Sequence, residues 1–335
     1  MAKRTNRKIV LVKRPQGEVT PDCLRLVEEP APAPAEGEAL VKNLYLSLDP
    51  TQQGWMKYDT YMPAIPIGDV VRSGGVGEVV ESRSPLYTKG QVVSGLVGWQ
   101  EYAIADGGGR RMQAIPAGVA PVDAVSVYGI TGLTAYFGLL DVGKPKPGET
   151  VVVSGAAGAT GSIVGQIAKI QGCRVVGIAG SEEKCRWLTG ELGLDACVNY
   201  KTEDVGKALR EACPQGIDVY FDNVGGEILD QVLLQINRGA RIALCGAIST
   251  YTEEAPPPGP RNLMQLVIKH GHMEGFLVLD YVARFPEAIA AMTKWAADGR
   301  LRSRVDVVDG IENAPAAFRR LFTGGNIGKL LVRLG

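Results

Sequence analysis

Three glycines in residues 152–161, VVSGAAGATG, have the spacing GxxGxxG. The segment follows a run of β-branched residues and opens an apolar stretch with helical period. Glycines in such a strand-to-helix turn let the backbone approach a pyrophosphate, and the helix N-terminus offers N–H donors to the anion. An ordinary glycine-rich turn is the alternative. The pattern predicts a dinucleotide-binding turn formed by Gly155, Ala156, Gly158, Ala159, Thr160 and Gly161.

The end of the next apolar run indicates which dinucleotide this turn binds. An NAD site usually has a carboxylate there, which accepts a hydrogen bond from the ribose 2′-OH, but residues 178–181 read IAGS. Ser181 and Lys184 follow that run, and Tyr200 ends the next one. These three side chains suit a 2′-phosphate, because charge-assisted hydrogen bonds contribute about 1.5–3 kcal/mol each. They predict NADP(H) as the cofactor, while Lys184 taken alone also fits a solvated lysine on a helix.

Few side chains are available as ligands of a catalytic metal. The chain has two histidines, His270 and His272, and its six cysteines include no CxxC pair. Zinc dehydrogenases need cysteine and histidine ligands at fixed spacing. We therefore expect no metal and interpret the histidines as packing or hydrogen-bonding residues. The GxSxG motif of serine hydrolases is also missing from the sequence.

Hydride transfer without a Lewis acid favours a substrate that conjugation already activates. In an α,β-unsaturated ketone or aldehyde, hydride adds to the β-carbon and an enolate develops on the carbonyl oxygen, where hydrogen-bond donors lower the barrier. The α-carbon then takes a proton from a side chain or from water. We predict NADPH-dependent reduction of the conjugated C=C bond of a small hydrophobic carbonyl compound. The alternatives are an NADPH-dependent quinone reductase and a non-catalytic, NADPH-binding regulatory protein.

The composition is that of a globular protein. With 335 residues, 45% hydrophobic and 21% charged, the chain is expected to form two domains. Its 36 basic residues balance 36 acidic ones, so no net charge attracts nucleic acid or an anionic membrane. Residues 9–12 are too short for a signal-peptide core, and residues 124–140 are too polar for a membrane span and predict a buried helix. We expect a cytoplasmic protein with reduced cysteines.

Two regions of the chain, with different sequence patterns, must position these residues. Residues 1 to about 122 contain short β segments broken by glycine and proline, which predicts an antiparallel, partly barrel-like β domain. From residue 150, apolar runs rich in β-branched residues alternate with helix-length segments, as a parallel sheet covered on both faces requires. Beyond about residue 300, a strand, a helix and a strand return the chain to the first domain. The predicted fold class is α/β, with a β-rich domain and a doubly wound parallel-sheet domain.

Further motifs occur along almost the whole chain. They are NLYLSLDP (43–50), GWM (54–56), GGVGEVV (74–80), GLTAY (132–136), SGAAGATG (154–161), DNVGG (222–226), CGAIS (245–249), EGF (274–276) and NIGK (326–329). In these motifs the chain resembles the zinc-independent medium-chain dehydrogenase/reductases, in the branch of prostaglandin reductases, alkenal double-bond reductases and curcumin reductases. The resemblance implies a GroES-like catalytic domain (1–124 and 300–335) interrupted by a Rossmann NADP-binding domain (125–299), usually in a homodimer.

The same resemblance implies roles for individual residues. In this family, the residues that match Ser181, Lys184 and Tyr200 hold the 2′-phosphate, in agreement with the charge argument above. Tyr251 matches a tyrosine that contacts the substrate or the nicotinamide ribose, and we predict it as the catalytic, enolate-orienting hydroxyl; a packing role in a lid is the alternative. Relatives commonly have Tyr-Met-Arg where this chain has Thr51-Gln52-Gln53. Further cofactor contacts are implied for Asn223, Cys245, Gly246, Ser249, Tyr251, Phe276, Leu277, Val278 and Asn326.

Overall fold

A computed structural model describes residues 4–106, 112–116, 118–255 and 257–335. The chain divides into two compact units. Unit 1 comprises Met1–Val125, Tyr251–Glu254 and Val305–Gly335, and unit 2 comprises Ser126–Thr250 and Ala255–Arg304. The domain bounds 1–124, 125–299 and 300–335 stay predictions.

The regular elements are named here in chain order. The strands are β1 (Thr5–Leu11), β2 (Leu24–Pro30), β3 (Ala39–Ser47), β4 (Gly74–Ser82), β5 (Val92–Leu96), β6 (Tyr102–Ala105), β7 (Met112–Ala114), β8 (Thr150–Ser154), β9 (Arg174–Ala179), β10 (Ala196–Asn199), β11 (Ile217–Asp222), β12 (Ile236–Leu244), β13 (His272–Gly275), β14 (Val305–Asp309) and β15 (Lys329–Arg333). The α-helices are α1 (Thr51–Lys57), α2 (Pro121–Ala124), α3 (Ile130–Phe137), α4 (Ala159–Ile170), α5 (Glu182–Arg186), α6 (Val205–Ala212), α7 (Gly226–Leu233), α8 (Met264–Ile268), α9 (Phe285–Ala297) and α10 (Ala314–Thr323).

Unit 2 contains a six-stranded sheet in the order β10-β9-β8-β11-β12-β13. All of its strand pairs are parallel. Every residue of β8, TVVVS, is buried, as expected for a central strand covered on both faces. The order reverses between β8 and β11, so the carboxyl ends of these strands border the crevice in which open α/β sheets bind ligands. The predicted α/β fold class is confirmed.

Unit 1 contains a seven-stranded sheet in the order β14-β15-β3-β4-β5-β7, with β6 also pairing with β3. Its pairs are antiparallel except β14–β15. Strands β1 and β2 form a separate antiparallel pair. The core includes Trp99 and Phe318, whose rings meet edge to face with centroids 5.6 Å apart. Because β15 pairs with β3, the C-terminal strands belong to the same sheet as the N-terminal strands.

The prediction of reduced cysteines is wrong for one pair. Cys185 in α5 and Cys197 in β10 form a disulfide, with Cα atoms 5.3 Å apart. Their separation of 12 residues is not a recognisable motif, and they become neighbours because β10 lies next to β9, after which α5 begins. The remaining cysteines, Cys23, Cys173, Cys213 and Cys245, are free.

The helix predicted within residues 124–140 begins later than its apolar pattern suggests. Helix α3 starts at Ile130 and continues as a π-helical turn over Gly138–Gly143. A Cβ on Gly132 would lie 1.7 Å from the Val127 carbonyl oxygen, so the preceding turn folds directly against the helix. In the part of the chain that the structure describes, no helix has the length and apolar character needed to cross a membrane.

Candidate functional site

The glycine turn between β8 and α4 leaves room for an anion. Gly155 has φ of 58°, in the region that favours glycine, and its carbonyl accepts a hydrogen bond from Gly158 N at 2.9 Å. A Cβ on Gly161 would lie 2.4 Å from the Gly155 oxygen, so the turn closes only with glycine there. Helix α4 begins without a side-chain cap. The amides of its first turn, at Ala159 and Thr160, therefore face the turn with the positive end of the helix dipole, which fits a pyrophosphate.

A buried carboxylate, which the sequence analysis missed, supports this turn from β11. Asp222 is fully buried. Its Oδ1 accepts hydrogen bonds from Ser154 Oγ at 2.9 Å and Tyr220 OH at 2.8 Å. The same oxygen accepts from the backbone N–H groups of Val224 and Gly225, both at 2.9 Å. Asp222 thus links the ends of β8 and β11 at the crevice, and the polar DNVGG motif after an apolar strand was its only sequence signal.

Asn223 and the end of β12 join the same network. Asn223 Nδ2 donates to the Ser154 carbonyl at 2.7 Å. The amides of Cys245 and Gly246 donate to the Asp222 carbonyl at 2.9 and 3.1 Å. Ser249 Oγ donates to the Val224 carbonyl at 2.6 Å. The structure therefore brings together the predicted residues of the β8, β11 and β12 ends, while their contacts with the cofactor stay predictions.

The thiol of Cys245 is not a nucleophile at neutral pH. Burial, together with the nearby Asp222 carboxylate, raises its pKa to about 12. The thiolate is the reactive form of cysteine. The role predicted for Cys245 is therefore that of a small apolar side chain.

Tyr220 provides a first test of this buried network. Tyr220→Phe removes one hydrogen bond to the Asp222 carboxylate, and we expect it to lower the free energy of unfolding by about 2 kcal/mol. Urea denaturation with both unfolding midpoint and slope measured checks this value. An unchanged midpoint would show that the phenol does not stabilise Asp222.

The residues predicted to hold a 2′-phosphate meet at the carboxyl ends of β9 and β10. Ser181 caps α5, and its hydroxyl accepts from Lys184 N at 3.3 Å. Tyr200 N donates to the Ala179 carbonyl at 3.0 Å. A Cβ on Gly180 would lie 2.9 Å from the Tyr200 ring, so the phenol lies directly against the end of β9. We call Ser181, Lys184 and Tyr200 the phosphate cluster.

The electrostatics of this cluster favour an anion. Burial and the neighbouring Lys201 lower the pKa of Lys184 from its usual 10.5, and Glu183 opposes the shift. The lowered pKa means that the protonated ammonium is destabilised when no anion is present. A phosphate dianion would remove this destabilisation, so the cluster fits the 2′-phosphate of NADP(H).

This shift predicts a pH dependence of binding. We expect NADPH to bind to the protonated form of Lys184, so its affinity should fall as pH rises, starting below pH 10.5. NADH has no 2′-phosphate, and its affinity should not follow the same curve. Fluorescence titrations with both cofactors from neutral to alkaline pH measure the ratio of the two dissociation constants. A ratio that stays constant over this range would contradict the assignment.

The segment predicted to meet the nicotinamide follows β13. The Phe276 ring packs edge to face on Phe221 of β11, with centroids 6.2 Å apart. A Cβ on Gly138 would lie 2.1 Å from the Phe276 ring, so this glycine gives the ring its space. Val278 is buried and Leu277 is exposed. Packing therefore fixes the Phe276 side chain, whereas the next side chain, Leu277, is exposed to solvent.

Tyr251 and Asn326 belong to unit 1. The Tyr251 carbonyl accepts hydrogen bonds from Lys57 Nζ at 3.0 Å and from Gln53 Nε2 at 3.5 Å, both on α1. Asn326 Nδ2 donates to the Gly328 carbonyl at 3.1 Å, in the turn before β15. The roles of Tyr251 and Asn326 toward substrate and cofactor stay predictions.

The unusual Thr51-Gln52-Gln53 segment has a structural role in α1. Gln52 and Gln53 are buried. Gln52 Nε2 donates to the Ser47 carbonyl at 2.8 Å, and Gln53 Nε2 donates to the Gly17 carbonyl at 2.5 Å. Both side-chain amides therefore hold neighbouring backbone segments by hydrogen bonds. The sequence analysis did not predict this role.

Comparison with known proteins agrees with this architecture. Residues 7–113 match a protein-family model described as the N-terminal domain of oxidoreductase, and residues 159–294 match one described as zinc-binding dehydrogenase. The NADPH-dependent curcumin reductase of Escherichia coli (strain K12) is 42% identical over 341 residues, which cover 99% of this chain and 98% of the relative. The NADP(+)-dependent 2-alkenal reductase of Nicotiana tabacum is 42% identical, with 88% and 87% of the two chains covered.

The chain belongs to the medium-chain dehydrogenase/reductase family. The motif-based resemblance to its curcumin, prostaglandin and alkenal reductases is thereby confirmed. Among solved structures, CurA from Vibrio vulnificus in complex with NADPH has a TM-score of 0.93 and 43% identity, with 98% of this chain and 99% of that chain covered. As in the named members of this dehydrogenase/reductase family, the cofactor is NADP(H).

The histidines of this dehydrogenase/reductase form separate polar contacts. His272 Nε2 lies 2.8 Å from Glu274 Oε2, and His270 Nδ1 lies 3.3 Å from an Arg238 guanidinium nitrogen. Among the described residues, no three His, Cys, Asp or Glu side chains are grouped so that they could hold a metal ion. The description of the second family model as zinc-binding therefore has no matching ligand group in this part of the chain.

Proposed function

We propose that this chain is an NADPH-dependent reductase that transfers hydride to the C=C bond of α,β-unsaturated ketones or aldehydes. The observation that carries the proposal is the phosphate cluster at the ends of β9 and β10, beside a glycine turn that fits a pyrophosphate. Relatives named for curcumin and 2-alkenal reduction support the substrate class. Its substrate is a small, hydrophobic conjugated carbonyl compound.

In this proposal, some residues bind the cofactor and Tyr251 takes part in the reaction. Bound NADPH supplies a hydride to the β-carbon of the conjugated alkene. The amides at the start of α4 bind the pyrophosphate, and Lys184 with Ser181 and Tyr200 binds the 2′-phosphate. The Tyr251 hydroxyl donates a hydrogen bond to the carbonyl oxygen on which negative charge develops, which lowers the barrier without a metal. A side chain or water then protonates the α-carbon.

We further propose that the enzyme is a cytoplasmic homodimer with a GroES-like catalytic domain (1–124 and 300–335) around a Rossmann domain (125–299). The motif resemblance to the family supports the dimer and the domain bounds. Analytical ultracentrifugation tests the dimer: a monomer at micromolar concentration would contradict it.

A substrate screen tests the activity directly. Purified enzyme is mixed with NADPH and an enone, an enal or a benzoquinone, the oxidation of NADPH is followed, and the product is identified by mass. We expect the enone and the enal to gain two hydrogens across the C=C bond. Reduction of the benzoquinone alone would identify a quinone reductase, and binding of NADPH without turnover of any acceptor would identify a non-catalytic protein.

A further inference from the structure

The disulfide between Cys185 and Cys197 lies beside the phosphate cluster. Cys185 lies in α5 and directly follows Lys184. Cys197 lies in β10, three residues before Tyr200. The bond therefore joins the two chain segments that carry the ammonium and the phenol of the cluster. None of the cofactor contacts proposed above uses either sulfur.

Helix α5 is short, and polar contacts hold it next to β10. It is five residues long, and Lys184 and Cys185 are half-buried while its other residues are exposed. Ser181 caps its start, and Asn199 Nδ2 donates to Glu182 Oε1 at 3.2 Å. At its other end the chain is anchored by the buried Trp187. The covalent bond to β10 adds a direct constraint on the residue next to Lys184.

Both residues of the disulfide lie in a partly exposed part of unit 2. Cys185 and Cys197 are partly exposed, and β10 is the edge strand of its sheet. By contrast, burial raises the pKa of Cys173 and Cys213 to about 11, so these thiols are almost entirely protonated at neutral pH. Accessible disulfides are generally the labile and regulatory ones.

We propose that Cys185 and Cys197 form a reversible thiol–disulfide pair that sets the affinity of the phosphate cluster, so that oxidation strengthens NADPH binding and reduction weakens it. The inference rests on the proposed assignment of Ser181, Lys184 and Tyr200 to the 2′-phosphate. The bond holds Lys184 near Tyr200 before the cofactor arrives, which lowers the entropy that binding must remove. In the cytoplasm proposed above, protein disulfides are usually transient and redox-sensing.

The oxidant is a low-molecular-weight disulfide such as glutathione disulfide. One protein thiolate attacks a sulfur of that disulfide, which breaks its S–S bond and releases one small thiol. The second protein thiolate attacks the resulting mixed disulfide, forms the Cys185–Cys197 bond and releases the second small thiol. Two electrons pass from the protein to the small disulfide, and the two thiol protons of the protein end on the released thiols. Excess dithiol reverses the reaction.

Binding measurements on oxidised and reduced enzyme test the proposal. The full-length protein is treated with glutathione disulfide or with dithiothreitol, the pair's state is verified by mass, and dissociation constants are measured for NADPH and NADH. We expect the oxidised enzyme to bind NADPH about threefold to tenfold more tightly than the reduced one, with NADH affinity unchanged. Cys185→Ser should behave as the reduced enzyme in both buffers, whereas Cys213→Ala should retain the full response.

Two results would overturn the inference. One is the absence of a Cys185–Cys197 disulfide after oxidation, and the other is equal NADPH affinity in the two redox states. Lys184→Ala separates this failure from that of the proposed function. If Lys184→Ala loses the NADPH preference while redox state has no effect, only the thiol–disulfide role is wrong. If Lys184→Ala keeps the preference, the cluster is not a 2′-phosphate site and both proposals fall.

Discussion

Lys184→Ala is expected to weaken NADPH binding about 10- to 100-fold, because it removes a charge-assisted contact with the 2′-phosphate. The lysine is the charged member of the phosphate cluster, and its lowered pKa indicates that its surroundings stabilise the ammonium poorly until an anion binds. NADH affinity should change little, since this cofactor presents only a 2′-OH. The ratio of kcat/KM values for NADPH and NADH, with one enone, measures the loss of preference.

The matched control removes a lysine of the same unit away from the cluster. Lys294 is exposed on α9, and Lys294→Ala should leave both cofactor constants unchanged. A general effect of net charge would weaken NADPH binding in both variants equally. If Lys184→Ala lowered NADPH and NADH affinity alike, the lysine would support the fold of the crevice and would not recognise the phosphate.

Much of unit 2 follows from local sequence. The valine run of β8 and the glycines after it act within ten residues of one another, so this local pattern predicts the strand, the turn and the start of α4 at Ala159. Strands β2 and β13 are hard to predict from the sequence for an equally local reason. LRLVEEP and HMEG are largely exposed strands with charged residues, and they lack the apolar run that marks a buried strand.

The parts of the site that sequence reasoning missed depend on contacts between distant residues. Asp222 and Ser154 are 68 residues apart, and their hydrogen bond exists only because β11 pairs with β8. The Gln53 side-chain amide donates to the carbonyls of Gly17 and Tyr251, and no sequence spacing indicates that these residues are neighbours. The phosphate cluster was predictable because parallel strands place their carboxyl ends at one edge, so the ends of successive runs indicate neighbours.

Tyr251→Phe is expected to lower kcat for an enone about 100-fold while KM for NADPH stays unchanged. The phenol is proposed to donate to the carbonyl oxygen where charge develops, so its loss affects the transition state more than the bound ground state. The backbone of this residue is held through its carbonyl by Lys57 and Gln53, and neither contact uses the hydroxyl. The urea midpoint of the variant is measured beside that of the parent, so that a loss of kcat at an equal midpoint reports on the chemistry.

The comparison that decides the role of Tyr251 uses substrates of different reactivity. An enolate-stabilising donor matters most for a weakly activated enone, whereas a packing tyrosine would affect weakly and strongly activated acceptors equally. The loss in kcat with Tyr251→Phe should thus shrink as the acceptor becomes more electron-poor. Tyr102→Phe, on β6 of the same unit, is the control and should show normal kcat with each acceptor. Full catalytic efficiency of Tyr251→Phe with an enone would remove this residue from the chemistry and leave it as part of the loop that α1 holds.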